Sequence, residues 1–468
     1  MASKQYHIMM FPWLAFGHMI PYLELSKKLA AKGILISYVS TPKNLQRLPT
    51  IPSKLQSKIN FVEIPLRRVD GLPENCEATI DLQLNEIQFL KKAYDRLAQP
   101  FENIVQKVVP DLILFDFAPY WIPEIGAKFG IPTVFFSVYT AGAMAFIGPP
   151  EELKSGSRRP SPEHFAVPPD WIPFPSLIAT RPDYATSMWT SLNFPDASGV
   201  SSGQRLAKSI ENCSFVAFRS CDEFEGEYIS VVRELYQKPV LPIGVLHPVP
   251  EENEKGNEVN SNWSNAFKWL DGQKAKSVVF VGFGSEYKMP IEQIHELAFG
   301  IELSRLPFVW VLRKPQEVHS SDLLPSGFAN RTLRQGIVIQ GWVPQLEILA
   351  HPAIGGCLFH SGWGTIVESL GLGHPLILLP MIADQGFNAK LLVEKEVGYE
   401  VPRNEDGSFS RETVASSIRL VAVAPEGQKL RSKAEEMRSI FNNQASEERY
   451  INKFIECLEK HRDSKGKK

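Results

Sequence analysis

The sequence predicts an α/β protein built from two doubly wound parallel-sheet domains, and three observations carry that expectation. Short apolar runs without polar alternation recur along the chain, as strands buried on both faces require. Amphipathic stretches of helical period separate them, which calls for parallel strands joined by crossovers. The series also stops and restarts. Residues 247–264, HPVPEENEKGNEVNSNWS, are polar, charged and almost without aliphatic side chains, as a linker would be.

In the first half, HIMMF (7–11), ILISYVS (34–40), INFVEI (59–64), DLILFDF (111–117) and TVFFSV (133–138) read as strands. Between the first two, MIPYLELSKKLAAKG places Ile20, Leu23, Leu25 and Leu29 at helical spacing, and Gly33 falls where the helix should end. The second set comprises VVFVGF (278–283), FVWVLR (308–313), IVIQGW (337–342), GGCLFH (355–360) and PLILLP (375–380). Stretches such as IEQIHELAFGIELS (291–304) supply the intervening helices. The expected division is a first domain over 1–245, a linker over 246–264 and a second domain over 265–445. Residues 446–468 are expected to form a C-terminal helix and basic tail that pack back on the first domain. The stretch 148–205, rich in Pro, Ser and Trp, is expected to be a variable loop region.

Composition narrows the function. The chain has 468 residues, 44% hydrophobic and 22% charged, with Lys+Arg 50 against Asp+Glu 52. That balance argues against a nucleic-acid binder or a polybasic membrane-surface protein. Five scattered cysteines without a CxxC pair read as free thiols in a reducing compartment. MASKQYHIMMFPW lacks the apolar stretch of a secretory signal, so the expected location is cytoplasmic. Residues 129–150 carry no charge, but Pro132, Thr133, Ser137, Thr140, Gly142 and Pro149–Pro150 interrupt them. A buried strand running into a buried helix is expected there, not an integral membrane segment.

The stretch from Trp342 to Gln385 concentrates the chemistry. Trp342 ends a strand and offers a flat face to a heterocycle. Gln345 is placed to reach a ribose or base. His360 ends another strand and is followed by Ser361, Gly362, Trp363, Gly364 and Thr365, a small-residue turn entering a helix. Backbone N–H groups at a helix start attract a pyrophosphate, and glycines allow close approach. Glu368, one turn further, suits a ribose diol, and Asp384 and Gln385 suit sugar hydroxyls. Singly, each has a packing or surface explanation; in this order they form a nucleotide-sugar site.

This stretch of 44 residues resembles the plant secondary product glycosyltransferase box. FPWLAFGHMIPYLELSKKLA, PDLILFDF and FVGFGSE extend the likeness to the plant family-1 UDP-dependent glycosyltransferases. The resemblance implies a GT-B-like fold, two Rossmann-like domains facing across a cleft, with the acceptor bound by the first and the UDP-sugar by the second. It implies that Trp342 stacks on uracil, Gln345 contacts the uridine and Glu368 holds the ribose. Ser285, His360 and Thr365 would contact the diphosphate, while Trp363, Asp384 and Gln385 would line the donor sugar. Val343 and Gly364 belong to the same implied UDP-sugar site, and Thr140 would touch the sugar from the first half. One departure stands out: the box ordinarily has Asn where this chain has Gly364, so backbone donors or a water must replace that side chain. Glycine there resembles the branch that extends sugar chains on flavonoid or terpenoid glycosides, with UDP-glucose or UDP-rhamnose as donor.

His18 and Asp116 form the second constellation. His18 lies in the turn after the first strand, at a helix start whose dipole disfavours imidazolium. A neutral imidazole, with an ordinary pKa of roughly 6.5, suits removal of a proton from an alcohol. Asp116 ends a strand, from which it could fix the imidazole tautomer. Sequence spacing does not bring the two together; the resemblance does, since the family's catalytic His and Asp fall on these positions. The expected partners are a UDP-sugar donor and a small-molecule glycoside acceptor, with no nucleic acid, and the expected state is a monomer. No cofactor is expected, the UDP-sugar being a co-substrate. No metal is expected either, because no carboxylate cluster of metal-ligand spacing accompanies the phosphate site. The rivals are an aglycone O-glucosyltransferase, a non-catalytic nucleotide-sugar sensor and a nicotinamide oxidoreductase. The last lacks a GxGxxG in its first βα turn.

Overall fold

Two parallel sheets organise the chain in the computed structural model, which describes residues 5–248, 261–284, 286–313 and 323–463. The first sheet has seven strands: β1 (His7–Phe11), β2 (Leu35–Ser40), β3 (Ile59–Glu63), β4 (Leu112–Phe115), β5 (Thr133–Ser137), β6 (Phe215–Phe218) and β7 (Val240–Pro242). Their spatial order is 3-2-1-4-5-6-7. The second has six: β8 (Val278–Gly282), β9 (Phe308–Leu312), β10 (Gly336–Gln340), β11 (Ile354–Phe359), β12 (Leu376–Leu378) and β13 (Gly398–Glu400). Their order is 10-9-8-11-12-13. Each sheet therefore reverses direction beside its first strand, between β1 and β4 and between β8 and β11. Such a switch point opens a crevice at the carboxyl ends of the strands, where ligands of doubly wound sheets bind.

All ten strands expected from apolar runs are present. The three others, β6, β7 and β13, have four, three and three residues. Runs that short carry no readable period. The first helix, Phe16–Ala31, ends as its sequence predicts. Gly33 takes φ +89°, its N–H bonds to Ala30 O at 2.9 Å, and Ile34 N–H bonds to Leu29 O at 3.2 Å. That pair of bonds is a Schellman stop, which needs a left-handed residue after the helix. Residues 133–147 form buried β5 and a wholly buried helix, Ala141–Ile147. Among the described residues no helix is long and apolar enough to cross a membrane.

The chain divides into two compact units. The first comprises Met1–Pro175, Ala185–Leu246 and Gln444–Lys468; the second comprises Ser176–Tyr184 and His247–Asn443. Most of the expected linker, 249–260, lies outside the described residues, and the helix Ser261–Asp271 begins before its expected end. Residues 176–184 belong to the second unit because polar groups tie them there. Leu177 N–H donates to Glu394 at 2.7 Å, and the Arg181 guanidinium donates to Pro380 O at 2.5 Å.

The stretch 148–205 is irregular over most of 156–181 and over 194–201, but it is not loop throughout. It contains the helices Pro150–Ser155 and Pro182–Asn193, and buried Arg159 organises the part between them. The Arg159 guanidinium donates to the carbonyls of Phe146 and Ile147 and lies over the rings of Phe146, Phe165 and Trp171. Burying one cation beneath three rings fixes a Pro-rich segment that lacks apolar periodicity.

The last helix, Gln444–Asp463, packs in the first unit. Ile451, Phe454 and Leu458, at spacings of three and four, enter the core formed by β1, β4 and β6. The Phe454 ring meets Phe215 edge-on at 6.2 Å. Truncating it leaves a cavity in a close-packed core, so Phe454→Ala should destabilise the first unit by about 3–5 kcal/mol. Urea unfolding of the full chain, followed through the first unit's transition, measures this.

Candidate active site

In the first unit, strand register brings the two candidate catalytic residues together. Phe11 pairs with Phe115, so the residues that follow β1 and β4 emerge side by side at the switch point. Asp116 follows β4 and is fully buried. Its Oδ1 accepts the Phe117 N–H at 2.7 Å, and its Oδ2 accepts the Trp13 N–H at 3.1 Å and His18 Nδ1 at 2.6 Å. Three donors on one carboxylate offset the cost of burying it. They also dictate the tautomer: the Nδ1 proton goes to the carboxylate, and Nε2 carries the lone pair.

The turn that holds His18 is braced from several sides. Tyr94 donates to Pro12 O at 2.8 Å, Thr79 N–H to Leu14 O at 3.0 Å and Tyr38 to Met19 O at 2.7 Å. Tyr94 and Tyr38 are held well above the ordinary phenol range, first by burial and then by the charge of Asp116, so they remain donors. The His18 ring packs against Phe117 at 5.7 Å and, edge-on, against Tyr139 at 5.3 Å. Its side chain keeps 12% of its surface accessible, against none for Asp116. The pair is therefore an imidazole that reaches solvent, hydrogen-bonded to a buried carboxyl group.

The second unit repeats the arrangement at its own switch point. Phe359 pairs with Gly282, so His360 emerges beside Gly284. A Cβ on Gly284 (φ +63°) would lie 2.7 Å from the His360 ring, and one on Gly362 would lie 2.6 Å from it. Only glycine fits at either place. Ser361 takes a left-handed φ of +66°, and the helix Trp363–Gly371 begins directly afterwards. Its first intrahelical bond runs from Ile366 N–H to Gly362 O at 3.1 Å, so the N–H groups of Trp363, Gly364 and Thr365 precede the ladder. With the positive end of the helix dipole, they form an anion-attracting turn. Space at Gly364 is open.

Gln345 joins this turn to the following helical face. Its Nε2 donates to Glu368 at 2.7 Å and to Thr365 Oγ1 at 3.3 Å. Trp342, three residues before it, is 73% exposed, whereas Val343 is buried. An indole left in water at a strand end is available for stacking. Gln385 spends its amide oxygen on the N–H groups of Met381 and Ile382 at 2.9 and 3.0 Å. Two backbone donors require oxygen there, so Nε2 is the end of the amide directed away from them. Asn388 bonds to both Asp384 and Ser361, so it links the turns after β12 and β11.

Two residues expected at the sugar, Trp363 and Thr140, are buried. The Trp363 ring is buried, 6.1 Å from Phe441, because the first helical position here points into the fold. Thr140 is fully buried, and its hydroxyl accepts the Ala143 N–H at 3.2 Å as an N-cap. Ser285 lies outside the described residues. Among the described residues, no three His, Cys, Asp or Glu side chains converge as a metal-binding group would.

The model of the family UDP-glucoronosyl and UDP-glucosyl transferase matches residues 251–423. UDP-glycosyltransferase 91C1 of Arabidopsis thaliana is 42% identical over 453 residues, 97% of this chain and 96% of that protein. Soyasaponin III rhamnosyltransferase of Glycine max is 38% identical over 462 residues, 98% of this chain and 97% of that protein. A crystal structure of a Glycyrrhiza uralensis UGT complexed with glycyrrhetinic acid 3-O-monoglucuronide aligns with TM-score 0.78 and 22% identity, covering 99% of this chain and 98% of that one. Two Rossmann-like units with these neighbours define a glycosyltransferase of the GT-B fold. The chain belongs to the plant family of UDP-dependent glycosyltransferases.

Burial pushes the His360 imidazole down to about 4, against a smaller opposing effect of the Gly282 backbone. A folded-state pKa below the unfolded value of roughly 6.5 costs nothing above that pH and destabilises increasingly as pH falls toward 4. His360 should therefore stay neutral down to about pH 5 in the unliganded protein. An NMR titration of the imidazole checks this; a midpoint near 6.5 would contradict it.

Proposed function

We propose that the protein is an inverting UDP-hexosyltransferase that moves glucose or rhamnose from its UDP-sugar to a sugar hydroxyl of a flavonoid or terpenoid glycoside. The observation that carries this is the 2.6 Å bond from His18 Nδ1 to the buried Asp116, at the switch point of its sheet. Nε2 of His18 takes the proton of the acceptor hydroxyl. The oxygen attacks the anomeric carbon from the face opposite UDP, and the bond to the diphosphate breaks with its electron pair leaving on the phosphate. Asp116 stays ionised and stabilises the imidazolium. The N–H groups at the start of the helix Trp363–Gly371, together with His360 and Thr365, receive the charge that develops on the diphosphate. Trp342 stacks on uracil, Gln345 reaches the uridine, and Glu368 holds the ribose. Asp384 and the Nε2 of Gln385 hold the sugar hydroxyls.

A glycoside acceptor is supported by Gly364, which matches the chain-extending branch, and by the relatives. One of those is named a soyasaponin III rhamnosyltransferase and another, from Siraitia grosvenorii, a mogroside IIIx synthase. The test is a screen of UDP-glucose and UDP-rhamnose against flavonoid and triterpenoid monoglycosides and their aglycones, run with His18→Ala alongside. Product should form from the monoglycosides, and the variant should lose about two to four orders of magnitude in turnover while its UDP affinity is retained. Product from aglycones alone would defeat chain extension, and undiminished turnover by the variant would remove the base.

A further inference from the structure

Asn388, on the helix Gln385–Glu394, is fully buried, and no step of the proposed reaction uses it. Its Nδ2 donates to the carbonyl of Ser361 at 3.1 Å and to Oδ2 of Asp384 at 2.8 Å. Both partners are acceptors, so the nitrogen and not the oxygen must face them, and its two hydrogens serve one turn each. Ser361 is the left-handed residue of the anion-attracting turn, a conformation that costs a non-glycine residue about 1 kcal/mol or more. Asp384 follows Ala383, which is also left-handed at φ +55°.

The backbone around Asp384 has its own restraints. Gln385 accepts from Met381 and Ile382, and the Tyr184 hydroxyl accepts from Ala383 N–H at 3.1 Å. These bonds hold the path of the turn without touching the carboxylate. The bond from Asn388 acts on the carboxylate itself and references it to Ser361.

We propose that Asn388 is a positioning residue for donor use: it fixes the Asp384 carboxylate relative to the phosphate turn, so sugar ring and diphosphate are held in one geometry. This rests on the proposed placement of the sugar at Asp384. UDP without a sugar makes no use of that carboxylate, so its binding should be largely indifferent to the change.

The test uses the full-length enzyme and whichever of UDP-glucose and UDP-rhamnose the wild type accepts. Asn388→Ala should lower donor kcat/KM by about 10- to 100-fold, as loss of a residue supporting a ligand-binding group typically does. Its Kd for UDP by calorimetry should stay within about threefold, a difference well under 1.4 kcal/mol. Asn388→Asp keeps the shape but sets a second carboxylate against Asp384, and two such groups in contact cannot both ionise freely. Its kcat/KM should gain a further ionisation above the ordinary carboxylate range, beyond the one that the general base already gives the wild type. Unchanged donor kcat/KM, or UDP affinity falling in parallel with kcat/KM, overturns the proposal. So does an Asp variant without the new ionisation, and that isosteric variant decides alone if the Ala variant fails to fold. Failure of the wild type to bind UDP or use either donor would instead defeat the proposed function.

Discussion

The hydrogen bond between His18 and Asp116 is the interaction on which the proposed chemistry depends. A carboxylate with no exposure is expensive unless donors surround it, and here two backbone N–H groups and one imidazole do so. The same donors make the support specific. Oδ1 and Oδ2 are both committed, so the imidazole meets an acceptor and can present only one tautomer outward. Sheet register delivers this arrangement: β1 and β4 are neighbours only because the strand order reverses there. Chain positions 18 and 116 then meet without any local sequence motif.

The second unit meets a different chemical demand with the same architecture. At its switch point stands a turn of small residues with a helix start behind it, suited to anionic charge rather than to a proton. Gly284 and Gly362 let the backbone close on the His360 ring, and burial keeps that ring uncharged. The two switch points carry histidines in different positions: His18 follows β1, whereas His360 follows β11, the strand that corresponds to β4 and Asp116 in the first sheet. His18 is paired with a carboxylate that supports its cation, and His360 is packed where a cation is disfavoured.

Much of this was legible in the sequence because buried parallel strands announce themselves as unbroken apolar runs. DLILFDF carries the candidate Asp116 one residue before its end, and GGCLFH ends in the candidate His360. The edge strands β7 and β13 escaped notice because three residues cannot display a period. Side-chain direction was less legible still. Trp363 sits within the matching stretch, yet its ring turns inward to Phe441, and Thr140 spends its hydroxyl on a helix cap. Both follow from local backbone geometry that residue types alone do not encode. The folding of Ser176–Tyr184 into the second unit depends on Arg181 and Glu394 finding partners about two hundred positions away. Asn388 gives no signal beyond its nearness to Gln385, because the two acceptors that its amide joins lie on different turns.

The central claim is that a carboxylate-supported imidazole in the first unit removes the acceptor proton. Asp116→Asn tests it most directly, since an amide cannot replace the carboxylate at all three donors. Wherever its oxygen is placed, its nitrogen faces either Phe117 N–H or the Trp13 N–H and His18 pair. Comparing kcat for glycosyl transfer and Kd for UDP between this variant and the wild type should give a loss of about two to four orders of magnitude in kcat with UDP affinity preserved. Turnover close to wild type in a folded Asp116→Asn protein would contradict the account.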